Sequence, residues 1–143
     1  MKGADSIMPF VLDASVVGNW FMPDEAQHPH ALEAWERIAL DDAFVPVHWW
    51  FEVRNFMLVA ERKERFSDRY TAAALERLAR MQIVEAPRAG DAGIFGLARR
   101  HQLSFYDAAY LELAKRENMS LATLDSRLAE AAIAEGVTLI GVS

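Results

Sequence analysis

Phe10–Val11–Leu12 and Ser120–Leu121–Ala122–Thr123–Leu124 are short apolar runs that lead straight into an aspartate, Asp13 and Asp125 respectively. Apolar runs this short, bounded by cap or turn residues, read as buried strands. Ala43–Phe44–Val45–Pro46–Val47, Gln82–Ile83–Val84 and Thr138–Leu139–Ile140–Gly141–Val142 read the same way, which makes five strands. The stretches between them carry helical spacing, as with Ala31, Leu32, Trp35, Ile38 and Ala39. Helices are predicted from the first strand through Trp20–Phe21, then over 26–40, 48–65, 67–81, 91–101, 105–117 and 126–135, with Ser67 or Asp68 as one cap and Gly136 as a stop. Strands alternating with helices predict an α/β fold with a mainly parallel sheet, because parallel neighbours need helical crossovers. In such sheets ligands sit beyond the carboxyl ends of the strands, where the strand order reverses. Asp13 and Asp125 fall on that edge.

The chain has 143 residues, enough for one domain, expected over 8–143 behind a polar, patternless leader at 1–7. Hydrophobic residues make up 52% and charged residues 25%, so a packed core rather than wholesale disorder is expected. Lys plus Arg total 15 against 21 Asp plus Glu, a net charge of −6. That balance argues against coating nucleic acid by bulk charge, but not against cutting it at a metal-charged pocket. There is no cysteine, which removes disulfides, thiolate metal sites and thiol nucleophiles. No apolar run approaches the roughly 20 residues of a spanning helix, and no signal-peptide pattern opens the chain, so a cytoplasmic protein without membrane attachment is expected.

Four acids stand out. Asp13 and Asp125 each precede a helix, so each has an ordinary reading as an N-cap. Asp107 is the fourth residue of Ser104–Phe105–Tyr106–Asp107, a capping-box pattern, but it shares a helix face with Ala108, Leu111 and Ala114 that should turn toward the sheet. Glu52 lies within the apolar stripe of Trp49, Val53, Phe56 and Ala60. Buried, charged and unpaired, it would cost several kcal/mol. Arg54, two residues on, faces elsewhere on the helix and is a poor partner. Four acids with no convergent cysteine or histidine form an all-oxygen donor set, which suits Mg²⁺ or Mn²⁺. Such clusters hydrolyse phosphodiesters. Thr123 lies on the same side of its strand as Asp125, and its hydroxyl can support a carboxylate; Ser15 stands in the same relation to Asp13.

At these residues the sequence resembles the PIN-domain proteins, and more narrowly the VapC toxins of bacterial toxin–antitoxin pairs. The matching segments are Val11–Leu12–Asp13–Ala14–Ser15, His48–Trp49–Trp50–Phe51–Glu52–Val53–Arg54–Asn55, Leu103–Ser104–Phe105–Tyr106–Asp107–Ala108–Ala109–Tyr110 and Leu121–Ala122–Thr123–Leu124–Asp125. Their order and spacing follow the family across nearly the whole chain. The resemblance implies a three-layer α/β/α sandwich with a five-stranded sheet in the order 3-2-1-4-5. It implies an Mg²⁺- or Mn²⁺-dependent endoribonuclease, acting on tRNA or rRNA, that forms a homodimer and is silenced by an antitoxin in its active site. The family's acids carry over to Asp13, Glu52, Asp107 and Asp125, and its polar position to Thr123. Of the four acids, the position of Asp125 varies most in the family. In-line attack by water would leave a 5′-phosphate and a 3′-hydroxyl.

The other signals divide. Trp49, Trp50 and Phe51 are consecutive on one helix, so a single stripe cannot hide all three, and core and interface remain open. His28–Pro29–His30 reads as an exposed helix start rather than a metal pair. Arg99, Arg100 and His101 either complement a helix C-terminus or form a small patch for RNA phosphate. Arg54, Arg62, Lys63, Arg65 and Arg69, interleaved with acids, read mostly as a solvated helix end. Two competing functions use the same residues: a non-catalytic module holding a structural cation or protein partner, and an aspartyl phosphatase. The phosphatase lacks its Asp-x-Asp pattern, because Ala14 and Ser15 follow Asp13.

Overall fold

The apolar runs form strands, shorter than the sequence pattern predicts. In a computed structural model describing residues 8–141, they are β1 (Phe10–Leu12), β2 (Ala43–Val45), β3 (Ile83–Glu85) and β4 (Ser120–Ala122). The helices are α1 (Ala14–Phe21), α2 (Pro29–Ile38), α3 (Trp49–Arg62), α4 (Asp68–Ala79), α5 (Asp91–His101), α6 (Phe105–Glu117) and α7 (Ser126–Ala134). The expected leader at 1–7 lies outside the described residues, as do Val142 and Ser143.

All strand pairs are parallel, in the order β3-β2-β1-β4, with helices flanking the sheet. This is the predicted order for the first four strands. The fifth is corrected: a single parallel bridge, Leu121 to Leu139, replaces it. Leu121 donates to the Thr138 carbonyl at 2.9 Å and Ile140 donates back to Leu121 at 2.9 Å, after which the chain turns. The turn is at Gly141, at φ +85°, where an added Cβ would stand 2.7 Å from the His30 ring and 3.1 Å from its Cα. Both the backbone angle and the lack of space require glycine. Gly141→Ala is therefore expected to destabilise the protein by about 1–3 kcal/mol, read as a lowered midpoint in urea.

Each predicted stop or start has its local cause. Ser67 accepts from the Tyr70 amide and Ser104 from the Asp107 amide, while α5 and α6 end on left-handed Gln102 and Asn118. The core lies on the sheet. Phe10, Val11, Leu12, Leu121 and Ala122 are fully buried, and α6 covers β1 and β4 with Ala108, Leu111 and Ala114, the face read from the sequence.

Three helices meet at Glu135. Its carboxylate accepts from Arg100 Nη1 (2.8 Å) and Lys115 Nζ (2.6 Å) and pairs with His101 Nε2 (2.6 Å). Arg100 and His101 are thus tied into the fold, and Arg99 lies over the Phe95 ring at 5.0 Å. Among the two readings of this basic cluster, the structural one accounts for the contacts. Hydrogen bonds from Lys115, His101 and Arg100 hold the Glu135 carboxyl down at about 2, from an ordinary 4.5. A lowered carboxylate stabilises the fold above its unfolded value near 4.5, and that contribution disappears as pH falls toward 2. Glu135→Gln is expected to cost about 1–2 kcal/mol at pH 7 and nothing near pH 2, because Arg100 and Lys115 are largely solvated. Thermal melts at the two pH values measure the difference.

Candidate active site

In the order β3-β2-β1-β4 the chain runs outward from β1 in both directions, so the reversal lies between β1 and β4. Asp13 follows β1 directly, and its amide donates to the Ala122 carbonyl at 3.0 Å, which pins it beside the end of β4. Asp13 occupies the N-cap position of α1, yet its side chain makes no capping bond. Its Oδ2 instead accepts from Ser15 Oγ and Thr123 Oγ1, both at 2.7 Å. The two hydroxyls are themselves fixed by amides: Leu124 donates to Ser15 Oγ and Asp125 to Thr123 Oγ1, both at 3.0 Å. This small lattice ties the loop after β4 to the loop after β1.

Asp125 is an N-cap in geometry, accepting from the Leu128 amide at 3.0 Å through Oδ1. That bond leaves its other oxygen without a partner among the described residues. Glu52, in the first turn of α3, accepts from the hydroxyl of Tyr110 on α6 through Oε1. His48 Nε2 stands 3.7 Å from the same oxygen, and no lysine or arginine pairs with Glu52 among the described residues. Arg54 turns away, donating to the Trp50 carbonyl and lying 4.1 Å from the Trp50 ring centre. Asp107, half-buried, starts α6 one turn before Tyr110.

The four acids lie within one another's fields. Burial pushes the Asp13 carboxyl up to about 6; the Thr123 and Ser15 hydroxyls oppose this, and the Glu52 and Asp107 charges add to it. Glu52 is raised by burial and by Asp107 against the pull of Tyr110. Asp107 is raised by burial and by Asp125. Burial lowers the imidazole of His48, which weakens it as a compensating charge, although Asp107 still feels it. Among the described residues no three such side chains are drawn to the spacing that grips an ion. Asp13 and Glu52, like Asp125, nevertheless each keep one oxygen unbonded, and the donors are all oxygen. That chemistry fits a hard divalent cation and not a soft one.

All four sequence-predicted acids and Thr123 therefore gather at the carboxyl edge, on β1, α3, α6 and the β4–α7 loop. Two contributors were not identified from the sequence, Tyr110 and His48. Tyr110 is fully buried, and a buried phenol needs a polar partner, which was its available signal. Trp49 is buried while Trp50 and Phe51 are 48% and 68% exposed, so the aromatic triplet divides between core and surface. His28 caps α2 by accepting from the His30 amide, which is the ordinary helix-start reading.

Among solved structures the fold is similar to PAE2754 from Pyrobaculum aerophilum, with a TM-score of 0.70 and 16% identity over 94% of this chain and 92% of that one. It is also similar to VapC20 of Mycobacterium tuberculosis, described as a sarcin-ricin loop cleaving toxin, with a TM-score of 0.62 and 16% identity over 85% of this chain and 94% of that one. No curated protein matches the sequence significantly. The PIN domain profile matches residues 10–134, from the first residue of β1 to the last of α7, and so takes in every acid of the site. The chain belongs to the PIN domain family.

Proposed function

We propose that this protein is a divalent-metal-dependent endoribonuclease and the toxin of a VapBC-type pair. The observation that carries the proposal is the electrostatic debt at the switch point. Burial and neighbouring carboxylates raise the proton affinity of Asp13, Glu52 and Asp107, and no arginine or lysine pairs with these acids or with Asp125 among the described residues. PIN domains are generally nucleases, and a structural relative is a toxin that cleaves RNA.

In this reading Asp13, Glu52 and Asp107 hold Mg²⁺ or Mn²⁺, with Asp125 as a fourth acid. The bound cation supplies Lewis acidity toward a phosphoryl oxygen and acidifies water. The protein supplies the rest. Ser15 and Thr123 fix the Asp13 carboxylate in one rotamer, and Tyr110 fixes Glu52. His48 packs between Tyr106 and Tyr110, at centroid distances of 5.2 and 5.1 Å, and walls off one side of Glu52. Water attacks phosphorus in line and leaves a 5′-phosphate and a 3′-hydroxyl. The RNA is a tRNA or rRNA, and a VapB-type antitoxin occupies the acidic pocket when the toxin is silent. The exposed Trp50 and Phe51 on α3 offer apolar surface for a homodimer or for that antitoxin. No helix among the described residues is long and apolar enough to cross a membrane.

The test is incubation of the antitoxin-free protein with total tRNA and rRNA in Mg²⁺, Mn²⁺ or EDTA. Discrete cuts with 5′-phosphate ends, lost in EDTA, are expected. Added salt should weaken cleavage in proportion to the number of lysines and arginines that contact phosphate. A 2′,3′-cyclic phosphate product would overturn the mechanism. Retained cation binding with no hydrolysis of any RNA would favour a non-catalytic module.

A further inference from the structure

Beside the acids, a cavity of about 530 Å³ opens between the loop after β3 and the first turns of α6. Its size is that of a small-ligand site. Buried Ile94, Ala109 and Leu113 form its floor, and Phe105 and Tyr106 line its edge. Those two rings are 40% and 61% exposed, although they lie in the first turn of a helix whose following residues are buried. Arg88, in the loop after β3, and Arg116, on α6, also line the cavity. The Arg116 guanidinium is held there by Glu112 at 3.0 Å and by the Pro87 carbonyl at 3.3 Å. The cavity adjoins the candidate active site through His48. His48 lines it, packs against Tyr106, and stands 3.7 Å from Glu52; Asp107 is the next residue after Tyr106.

We propose that this cavity is a nucleobase subsite, which receives the unstacked base of a nucleotide flanking the bond that is cut. This rests on the ribonuclease reading and deepens it. A cation held by carboxylates grips a phosphate without regard to sequence, so selection of one bond needs a second contact within a nucleotide of the acids. Exposed aromatic faces stack on bases, and arginines donate to the adjoining phosphate. In an acidic protein, Arg88 on the exposed rim of the cavity offers a local positive charge to phosphate. The lining also carries Asp91, whose carboxylate can accept from base N–H groups, and Glu112, which is engaged by Arg116. This mixture of aromatic edge, apolar floor and both charges suits one base in single-stranded RNA. A docked helix would need a continuous apolar groove instead.

Two measurements test the subsite. In the first, the four nucleoside 5′-monophosphates and ribose 5-phosphate are titrated into the isotopically labelled protein. At least one nucleotide should shift the amide signals of Arg88, Phe105 and Tyr106, and ribose 5-phosphate should not. In the second, an oligoribonucleotide cut by the protein is remade with an abasic residue on either side of the scissile bond. One of the two should be cut roughly 10- to 100-fold more slowly, the range expected for losing one stacked base. The abasic penalty should disappear in Phe105→Ala and in Tyr106→Ala. Arg88→Ala, in an exposed loop, should raise KM with little change in kcat. If both abasic RNAs are cut as fast as the parent, the subsite falls and the nuclease stands. If a nucleotide binds in the cavity but no RNA is cut, the nuclease reading falls and the base site stands. If only a protein partner, and no nucleotide, shifts the cavity signals, the face is a protein-docking surface and the proposal is overturned.

Discussion

Asp13→Asn should abolish RNA cleavage, by roughly 10²–10³-fold or more, while making the metal-free protein more stable at neutral pH. The two effects have one cause. Asp13 is 6% exposed, accepts only from two neutral hydroxyls, and faces the charges of Glu52 and Asp107. Its carboxyl is raised from 3.8 to about 6. At about 1.4 kcal/mol per tenfold change in proton affinity, the folded state is destabilised by roughly 2–3 kcal/mol when Asp13 is ionised. For a carboxyl raised by folding, the sign is the reverse of the usual one. Below pH 3.8 the group is neutral in both states and costs nothing. As pH rises through about 6 the folded protein must carry the buried charge, and the full penalty applies above that. Asparagine keeps an oxygen for Ser15 and Thr123 without the charge. In EDTA at pH 7.5 the variant should therefore melt about 5–10 °C higher than the parent, with the gap closing near pH 4. Added Mg²⁺ or Mn²⁺ should raise the melting point of the parent and move the variant little, because an ion that binds only the folded state stabilises it. A variant that melts lower than the parent in EDTA would refute the buried-charge argument. A variant that still cuts RNA would remove Asp13 from the chemistry.

The acids were legible in the sequence because two violated a local rule and two stood at the carboxyl ends of strands. Glu52 interrupts an apolar stripe, Asp107 faces a sheet, and Asp13 and Asp125 close apolar strands. Periodicity of 2 and 3.6 residues is enough to see that. Their partners were less legible, because they arrive through tertiary structure. Thr123 reaches Asp13 across 110 residues and Tyr110 reaches Glu52 across 58. For Asp125 the cap reading and the site reading are both satisfied by the same side chain, one oxygen for each. The fifth strand failed for a different reason. Val137, Leu139 and Ile140 are buried, so the hydrophobic signal was real, but burial does not require a ladder. Gly141 turns the chain after a single bridge, and a composition-based reading of Thr138–Val142 does not see a positive φ.

Tyr110→Phe should weaken the hold on metal more selectively than any change to the acids themselves. The phenol ring is fully buried, and phenylalanine refills the same volume, so the packing of α6 is retained. What is lost is one hydroxyl, the donor that holds Glu52 Oε1 and opposes the rise in its proton affinity. Without it, Glu52 keeps the burial and the repulsion of Asp107, and its carboxyl moves further up. Three consequences follow from that one loss. The metal concentration giving half-maximal cleavage should rise by about 10- to 100-fold, the usual effect of removing a group that orients a ligand. The acidic limb of the pH–activity profile should move to higher pH, because protons compete longer for Glu52. At saturating Mn²⁺ and high pH much of the lost rate should return, because the acid itself is still present. Glu52→Gln, by contrast, should stay inactive under the same conditions. If Tyr110→Phe lowers kcat equally at every metal concentration and pH, the hydroxyl acts on the reacting phosphate directly and not through Glu52. If it changes nothing, the bond between α3 and α6 is structural, and Glu52 needs no help to stay in place.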